Sequence, residues 1–443
     1  MIKKTLALLF FLAAAAYAAI AQNINKPKLD SFFAALESHN KAMGSLAISV
    51  NGAIVYQKAI GYLSVNGNDK MPAGIDTKYR IGSITKMFTA TMIFQLIEEG
   101  KLSLDAPLST WYPELPNASK ITIGNMLDHR SGLHNFTNNP DYGQYMTQPR
   151  TEAEMVATFA KMKPDFDPDT KAQYSNTNFV LLGYIIEKIT KKPYPVELKE
   201  RITAKLGLKD TYYGGKADVK NNEAYSYVFS GDWMQTRETD MSIPGGAGAI
   251  LSTPTDLVKF IEALFAGKLI NQDHLHLMMA QKDNYGMAMF AMNFDDKRGF
   301  GHNGGIDNFT SVLNYFPDDK LAISYCANGG AYGVGKVRDD VLSIYFNKPF
   351  IIPDFKTITL KTEELDKYLG VYSSTQLPIK ITITKDDAIL VAQGSGQPQL
   401  RLDAIATDKF SFDKAGIVME FEPAKNQFIL KQGGGTFLFT KDK

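Results

Sequence analysis

The sequence predicts an α/β (α+β) fold in two parts. A sandwich with a mainly antiparallel sheet and an inserted helical lobe comes first, and a small all-β barrel follows. Three observations predict it. β-like runs stand at both ends of the first 350 or so residues and flank a stretch of helical periodicity, so the simplest sheet is assembled from both ends. A segment with two prolines interrupts the chain near Phe350. Beyond it, about ninety residues hold only short β-like runs separated by turn residues.

The chain opens with the basic Ile2-Lys3-Lys4. Thr5 to Ala21 is then nearly all apolar, and Ala19-Ile20-Ala21 places small residues before Gln22. This predicts a cleavable secretory signal peptide over residues 1–21, hence a periplasmic or secreted protein. The run is short for a spanning helix, and no later stretch is apolar enough, so no membrane span is expected after cleavage. Apolar spacing at Leu29, Phe32, Phe33 and Leu36 predicts a helix from Leu29 to Lys41. Ser45 to Val50 and Ala53 to Ile60 read as strands joined by Asn51-Gly52, a hairpin pair whose residues both tolerate positive φ. Lys78 to Ile81 is strand-like. Ile84 to Glu99 reads as a helix stopped by Gly100. From Leu102 to about Met279 helical stretches alternate with loops, with few strand signals.

Phe300 to Gly304, Asn308 to Phe316 and Leu321 to Ala327 read as strands, with Pro317-Asp-Asp319 as the turn between the last two. Val337 to Phe346 reads as a closing helix, and Asn347 to Asp354 as a linker. Six runs then predict barrel strands: Ile379 to Ile383, Ala388 to Ala392, Phe410 to Phe412, Ile417 to Phe421, Phe428 to Leu430 and Phe437 to Thr440. The domain division is residues 1–21, 22–350 and 351–443.

Among the 443 residues, 44% are hydrophobic and 21% charged, with a formal net charge of +1. That balance offers no concentrated basic patch, which argues against nucleic acid or an anionic membrane surface as partner. The one cysteine, Cys326, excludes an internal disulfide and sits in an apolar run as a buried strand residue. His274 and His276 lack helical metal spacing, and no metal or cofactor is expected.

Ser83-Ile-Thr-Lys86 is an S-x-x-K tetrad. A serine hydroxyl needs a base within hydrogen-bond reach, and residues i and i+3 share one face of a helix. The helix N-terminus and burial both push such a lysine towards its neutral form. Ser38-His-Asn-Lys41 and Ser411-Phe-Asp-Lys414 repeat the pattern. Only Ser83 stands where a strand hands over to an apolar helix; a helix N-cap is the plain alternative for it. Tyr174-Ser-Asn176 offers a tyrosine that is a usable general base if nearby cations lower its pKa, and an amide that can contact both lysine and substrate. A capped turn before the helix Asn176 to Ile189 is the plain alternative. His302-Asn-Gly304, followed by Gly305, puts glycines on a strand edge, where a substrate can approach backbone N–H groups closely. A satisfied core histidine in a turn is the plain alternative.

In this order and spacing the three motifs resemble the serine β-lactamase/penicillin-binding-protein superfamily, closest to its class C β-lactamase-like branch of D-Ala-D-Ala carboxypeptidases, D-aminopeptidases and esterases. Tyr79-Arg-Ile-Gly-Ser-Ile-Thr-Lys86, Ile121-Thr-Ile-Gly-Asn-Met-Leu-Asp-His-Arg-Ser-Gly-Leu133, Gly246-Ala-Gly-Ala-Ile-Leu-Ser-Thr-Pro-Thr-Asp-Leu257 and Gly299-Phe-Gly-His-Asn-Gly-Gly305 carry the resemblance over residues 28–346. Leu365-Asp-Lys-Tyr-Leu-Gly-Val-Tyr372 is similar to the lipocalin-like domain appended in that branch. The resemblance implies a β-lactamase-like sandwich, Ser83 as acylated nucleophile, Lys86 as its base and Tyr174 as proton carrier. It implies that Asn176 orients substrate and lysine, and that Ser83 and Gly305 N–H groups bind an oxyanion beside Gly304. His302 stands where true class C β-lactamases carry a lysine, and His129 is expected to be structural. The function expected is hydrolysis of small esters, amides or D-amino-acid peptides, with a small-molecule or peptide acyl substrate. A D-Ala-D-Ala carboxypeptidase or β-lactamase, and a catalytically silent binding protein on the same scaffold, are the rival expectations.

Overall fold

The computed structural model describes residues 24–229, 232–432 and 435–442, so the expected signal peptide lies outside the described residues. Helix α1 (Lys26–Ser38) buries Leu29, Phe32, Phe33 and Leu36, and Asn25 caps it by accepting from Lys28 N–H at 3.1 Å. Strands β1 (Ala42–Val50) and β2 (Ala53–Ile60) form the expected hairpin, with Asn51 at φ 53° and Gly52 at φ 81°. Helix α2 (Thr85–Glu98) ends as expected at Gly100: its N–H donates to Ile97 O, and Lys101 N–H donates to Leu96 O. Helices α3 (Asn176–Thr190) and α4 (Pro254–Phe265) belong to the lobe. Strands β3 (Phe290–Ala291), β4 (Phe300–Ile306), β5 (Phe309–Phe316) and β6 (Leu321–Gly330) follow, and α5 (Val334–Tyr345) closes the unit.

One antiparallel sheet runs in the order β3-β4-β5-β6-β1-β2, so its N-terminal hairpin completes strands supplied some 270 residues later, as expected. Alternation along the strands makes it the middle of a sandwich. Leu46 and Ile48 of β1 and Ile323 and Tyr325 of β6 face one core with α1 and α5. Ala47, Ala322 and Cys326 face the other core, which contains α2, α3 and α4. Helix α2 is apolar on all sides and buried from Thr85 to Leu96, which places it at the centre of the lobe. The lobe also holds strands too short for periodicity to reveal: Tyr79–Arg80, Tyr212–Tyr213 and Ile250–Ser252 make a small sheet, and Tyr227–Phe229 pairs with Trp233–Gln235.

Irregular chain leads on to a closed, eight-stranded antiparallel barrel: β7 (Gly370–Ser373), β8 (Lys380–Asp386), β9 (Ile389–Gly394), β10 (Gln399–Ala406), β11 (Lys409–Phe412), β12 (Ile417–Glu422), β13 (Gln427–Gln432) and β14 (Gly435–Lys441). Six of these strands match expected runs; β7 and β10 were not anticipated. The interior is filled by its own side chains, among them Tyr368, Tyr372, Phe410, Phe421, Phe428 and Phe439.

The barrel core is separate from the other two, and Lys41 bridges to Asp403 at 3.2 Å and Asp413 at 2.9 Å across the junction. Such a contact is polar and replaceable by water. A chain ending near Phe350 is therefore expected to stay folded and keep turnover of small esters, with altered rates on larger substrates. Circular dichroism and ester assays of that truncation check it. Complete loss of solubility would mean that the barrel covers core surface.

Candidate active site

Ser83 lies in a single tight turn, Gly82–Ile84, between strand Tyr79–Arg80 and α2. Gly82 has φ +52°, a left-handed conformation that side chains resist. A Cβ there would also stand 2.7 Å from Gly305 N, and one on Gly304 would stand 1.9 Å from Ile81 O. The glycines thus let β4 approach the backbone immediately before the serine, and bring Gly305 N–H close to its turn. Lys86 follows one helical turn after Ser83, and its Nζ lies 2.9 Å from Ser83 Oγ. Asn176, the first residue of α3, holds its Oδ1 2.8 Å from the same Nζ. Tyr174 precedes α3, and its hydroxyl donates to Ser83 Oγ at 2.7 Å. Residues 83, 86, 174 and 176 therefore form one hydrogen-bonded centre.

Lys86 is fully buried, and burial holds its amine well below the usual lysine range. No carboxylate of the described residues pairs with it; its neighbours are the neutral oxygens of Ser83, Asn176 and Ala247, the last at 2.8 Å. A neutral amine has two N–H groups and one lone pair. The N–H groups suit Asn176 Oδ1 and the Ala247 carbonyl, neither of which can donate. The lone pair then faces Ser83 Oγ–H, the geometry a base requires.

Tyr174 departs from the sequence expectation of a phenol made acidic by nearby cations. Burial raises its pKa, and the hydrogen bond with Ser83 offsets only part of that desolvation. The phenol stays protonated at neutral pH and acts as a donor. His129 is buried, as expected of a structural residue. Its ring lies 4.5 Å from that of Tyr174, and its Nδ1 accepts from Ser175 N–H at 3.2 Å.

His302 is 3% exposed, with Phe290 at 4.9 Å and Tyr174 at 6.3 Å between ring centres. Its Nδ1 donates to Asn303 O, and burial lowers its pKa to about 3, so it is neutral at physiological pH. A cavity of about 490 Å³ opens beside Ser83, lined on the β4 side by Gly305 and Ile306, and His302 is not part of its lining.

Other candidates lie elsewhere. Ser38 is exposed at the end of α1, and Ser411 is buried in β11 of the barrel. Cys326 is buried in β6, and burial pushes its thiol up to about 12. His274 pairs with Glu98 at 2.8 Å. Among the described residues no cluster of His, Cys, Asp and Glu is arranged to hold a metal ion.

Sequence reasoning missed a latch around the site. Arg80 donates to Asp307 at 2.9 Å, to Thr239 O at 2.8 Å and to Glu238 at 2.8 Å. Asp307 also accepts from Thr239 N–H at 2.9 Å and from its hydroxyl at 2.6 Å. Arg80 stands on the strand before the nucleophile, and Asp307 in the β4–β5 turn, so the pair pins Gly305 to the Ser83 turn. Asn135 and Thr137 do the same for Asn176: Asn135 Oδ1 accepts its N–H at 2.9 Å, and Thr137 Oγ1 accepts from its side-chain amide at 3.2 Å. Arg80 lies within a motif already quoted; the others carry no signal of their own.

Several known proteins are similar to this chain. The Beta-lactamase family matches residues 29–343. A penicillin-binding protein of Bacillus subtilis (strain 168) is 25% identical over 449 residues, covering 93% of this chain and 97% of the relative. The solved D-amino acid amidase from Ochrobactrum anthropi SV3, complexed with L-phenylalanine, is similar at 31% identity and a TM-score of 0.63, covering 72% of this chain and 98% of that one. An octameric penicillin-binding protein homologue from Pyrococcus abyssi shares the fold over 94% of this chain and all of its own, with a TM-score of 0.66 at 23% identity. The family match takes in both ends of the six-stranded sheet and the whole lobe between them, and this chain is a serine hydrolase that belongs to the Beta-lactamase family.

Proposed function

We propose that this chain is an exported hydrolase that cleaves small esters, amides or D-amino-acid peptides through an acyl-enzyme on Ser83, with no metal or cofactor. The observation that carries the reading is the environment of Ser83 Oγ, which meets a buried amine without a counter-charge and a protonated phenol at once. Ser83 Oγ attacks the acyl carbonyl as its proton passes to Lys86. The oxyanion is held by the N–H groups of Ser83 and Gly305. Tyr174 donates its proton to the departing oxygen or nitrogen and is reprotonated from Lys86. Water then repeats the cycle on the acyl-enzyme and releases the acid. Asn176 keeps the lysine aimed at the serine and offers its amide to the substrate. The composition of residues 1–21 supports export to the periplasm or medium.

The neutral, buried His302 bears on substrate charge. A β-lactam drug carries a carboxylate that a fixed cation would hold, and the third motif here supplies none. The wild type is expected to favour an uncharged ester over a penicillin. His302→Lys is expected to raise the penicillin-to-ester ratio of kcat/KM by about tenfold, the scale of one hydrogen bond to a charged group. The two ratios, measured in wild type and variant, test it. An efficient wild-type penicillinase, or a ratio unmoved by the substitution, would remove His302 from charge preference.

A further inference from the structure

The cavity beside Ser83 has an apolar wall made by Phe136, Tyr142, Met146, Pro244, Ile306 and Phe309. Its volume, about 490 Å³, lies in the range of small-molecule sites and leaves room for an aromatic acyl group. Of all the residues lining it, Asp307 alone carries a formal charge, and that charge is not offered to a ligand. The Asp307 side chain is 0% exposed. One oxygen is taken by Arg80, and the other by the backbone and hydroxyl of Thr239. Arg80 in turn spends its terminal nitrogens on Asp307, Glu238 and two carbonyls, those of Thr239 and Gly215. The remaining polar lining is neutral: Ser83 and Asn176 of the centre, with Thr137, Thr239, Asn308 and Thr310. Arg237 is an exposed cation that reaches Gly143 O, next to Tyr142 of the wall, at 3.4 Å, and it stands outside the lining.

We infer that the acyl pocket takes an uncharged, apolar acyl group, and recognises neither a carboxylate nor a primary ammonium on the acyl side of the scissile bond. A charged group entering there would lose water and meet no partner. The substrate class is therefore neutral aromatic or branched acyl esters and N-blocked amino-acid amides, in preference to free D-amino-acid amides or acids. The inference rests on Ser83 being the acylated nucleophile.

The test uses the full-length enzyme and two matched pairs of chromogenic substrates. One pair is the 4-nitroanilide of D-phenylalanine and that of N-acetyl-D-phenylalanine. The other is the 4-nitrophenyl esters of succinate and butyrate. Fluorophosphonate labelling of Ser83 is followed in parallel, and where turnover is slow each compound is ranked by its protection of Ser83 from the label. The neutral member of each pair is expected to win by about tenfold or more, the discrimination a pocket gives when one competitor strands a polar group. Met146→Asp, which adds a carboxylate to the half-buried wall, is expected to move the first ratio towards the ammonium substrate. Ratios near one, or a preference for either charged member, would overturn the inference while labelling of Ser83 leaves the acyl-enzyme standing. A carboxylate preference lost in Arg237→Gln would overturn it by locating a recognising cation at the rim. Absence of both labelling and turnover would instead remove the acyl-enzyme reading itself.

Discussion

Ser83→Ala is expected to lower kcat by about 10⁶-fold, the scale on which a serine nucleophile and its base act as one unit. It removes one oxygen from a half-buried turn, so the fold should persist; circular dichroism and the melting temperature check that. Lys86→Met should cost nearly as much, because a serine without its base is as inert as no serine. The double variant should lose little beyond either single one, since the two share a single proton transfer. Additive losses would mean that Lys86 acts on something other than Ser83. Ser83→Ala at the wild-type rate would dismiss the site.

Tyr174→Phe is expected to lower kcat by about 10²–10⁴-fold, the range for a lost general acid or base, with a much smaller change in KM. The variant keeps the ring that packs 4.5 Å from His129, so structure and burial are retained. Only the hydrogen bond to Ser83 Oγ and the proton route to the leaving group disappear. An ester with a leaving group that needs no protonation should suffer less than an amide, which separates proton delivery from support of the fold. The acid limb of the wild-type rate profile is expected to report Lys86. Its amine is held well below the usual lysine range, so it is active above its folded pKa and loses its lone pair as pH falls through that value. His302 contributes nothing there until near its own value of about 3. A near-normal rate in Tyr174→Phe would leave Tyr174 as a helix-start residue only.

The sandwich was legible because its signals are local. Asn51-Gly52 between two β-runs, the apolar spacing of α1 and the Gly100 stop each report a backbone conformation through the residues that adopt it. The same holds for the barrel, but β7 is short and starts at a glycine. β10 alternates Leu400 and Leu402 with Arg401 and Asp403, a weak form of the period-two signal. The two- and three-residue strands of the lobe fall below any period. In the site, Ser83 stood out from Ser38 and Ser411 by its place before an apolar helix, and its lysine by the i, i+3 spacing. What stayed hidden is what tertiary structure brings in. The Ala247 carbonyl is a backbone group with no residue signature, and the Arg80–Asp307 pair spans 227 positions. The protonated state of Tyr174 follows from burial, which residue type does not reveal.

The most direct measurement is where a covalent adduct forms. Intact-mass analysis followed by peptide mapping, after treatment with a fluorophosphonate or a slowly hydrolysed acyl substrate, should find one adduct per chain, carried by Ser83 in the peptide spanning Gly82 to Lys86. Ser83→Ala should carry none. Hydrolysis that proceeds while no adduct forms, or an adduct on Ser38, Ser411 or another residue with Ser83 untouched, would contradict the account.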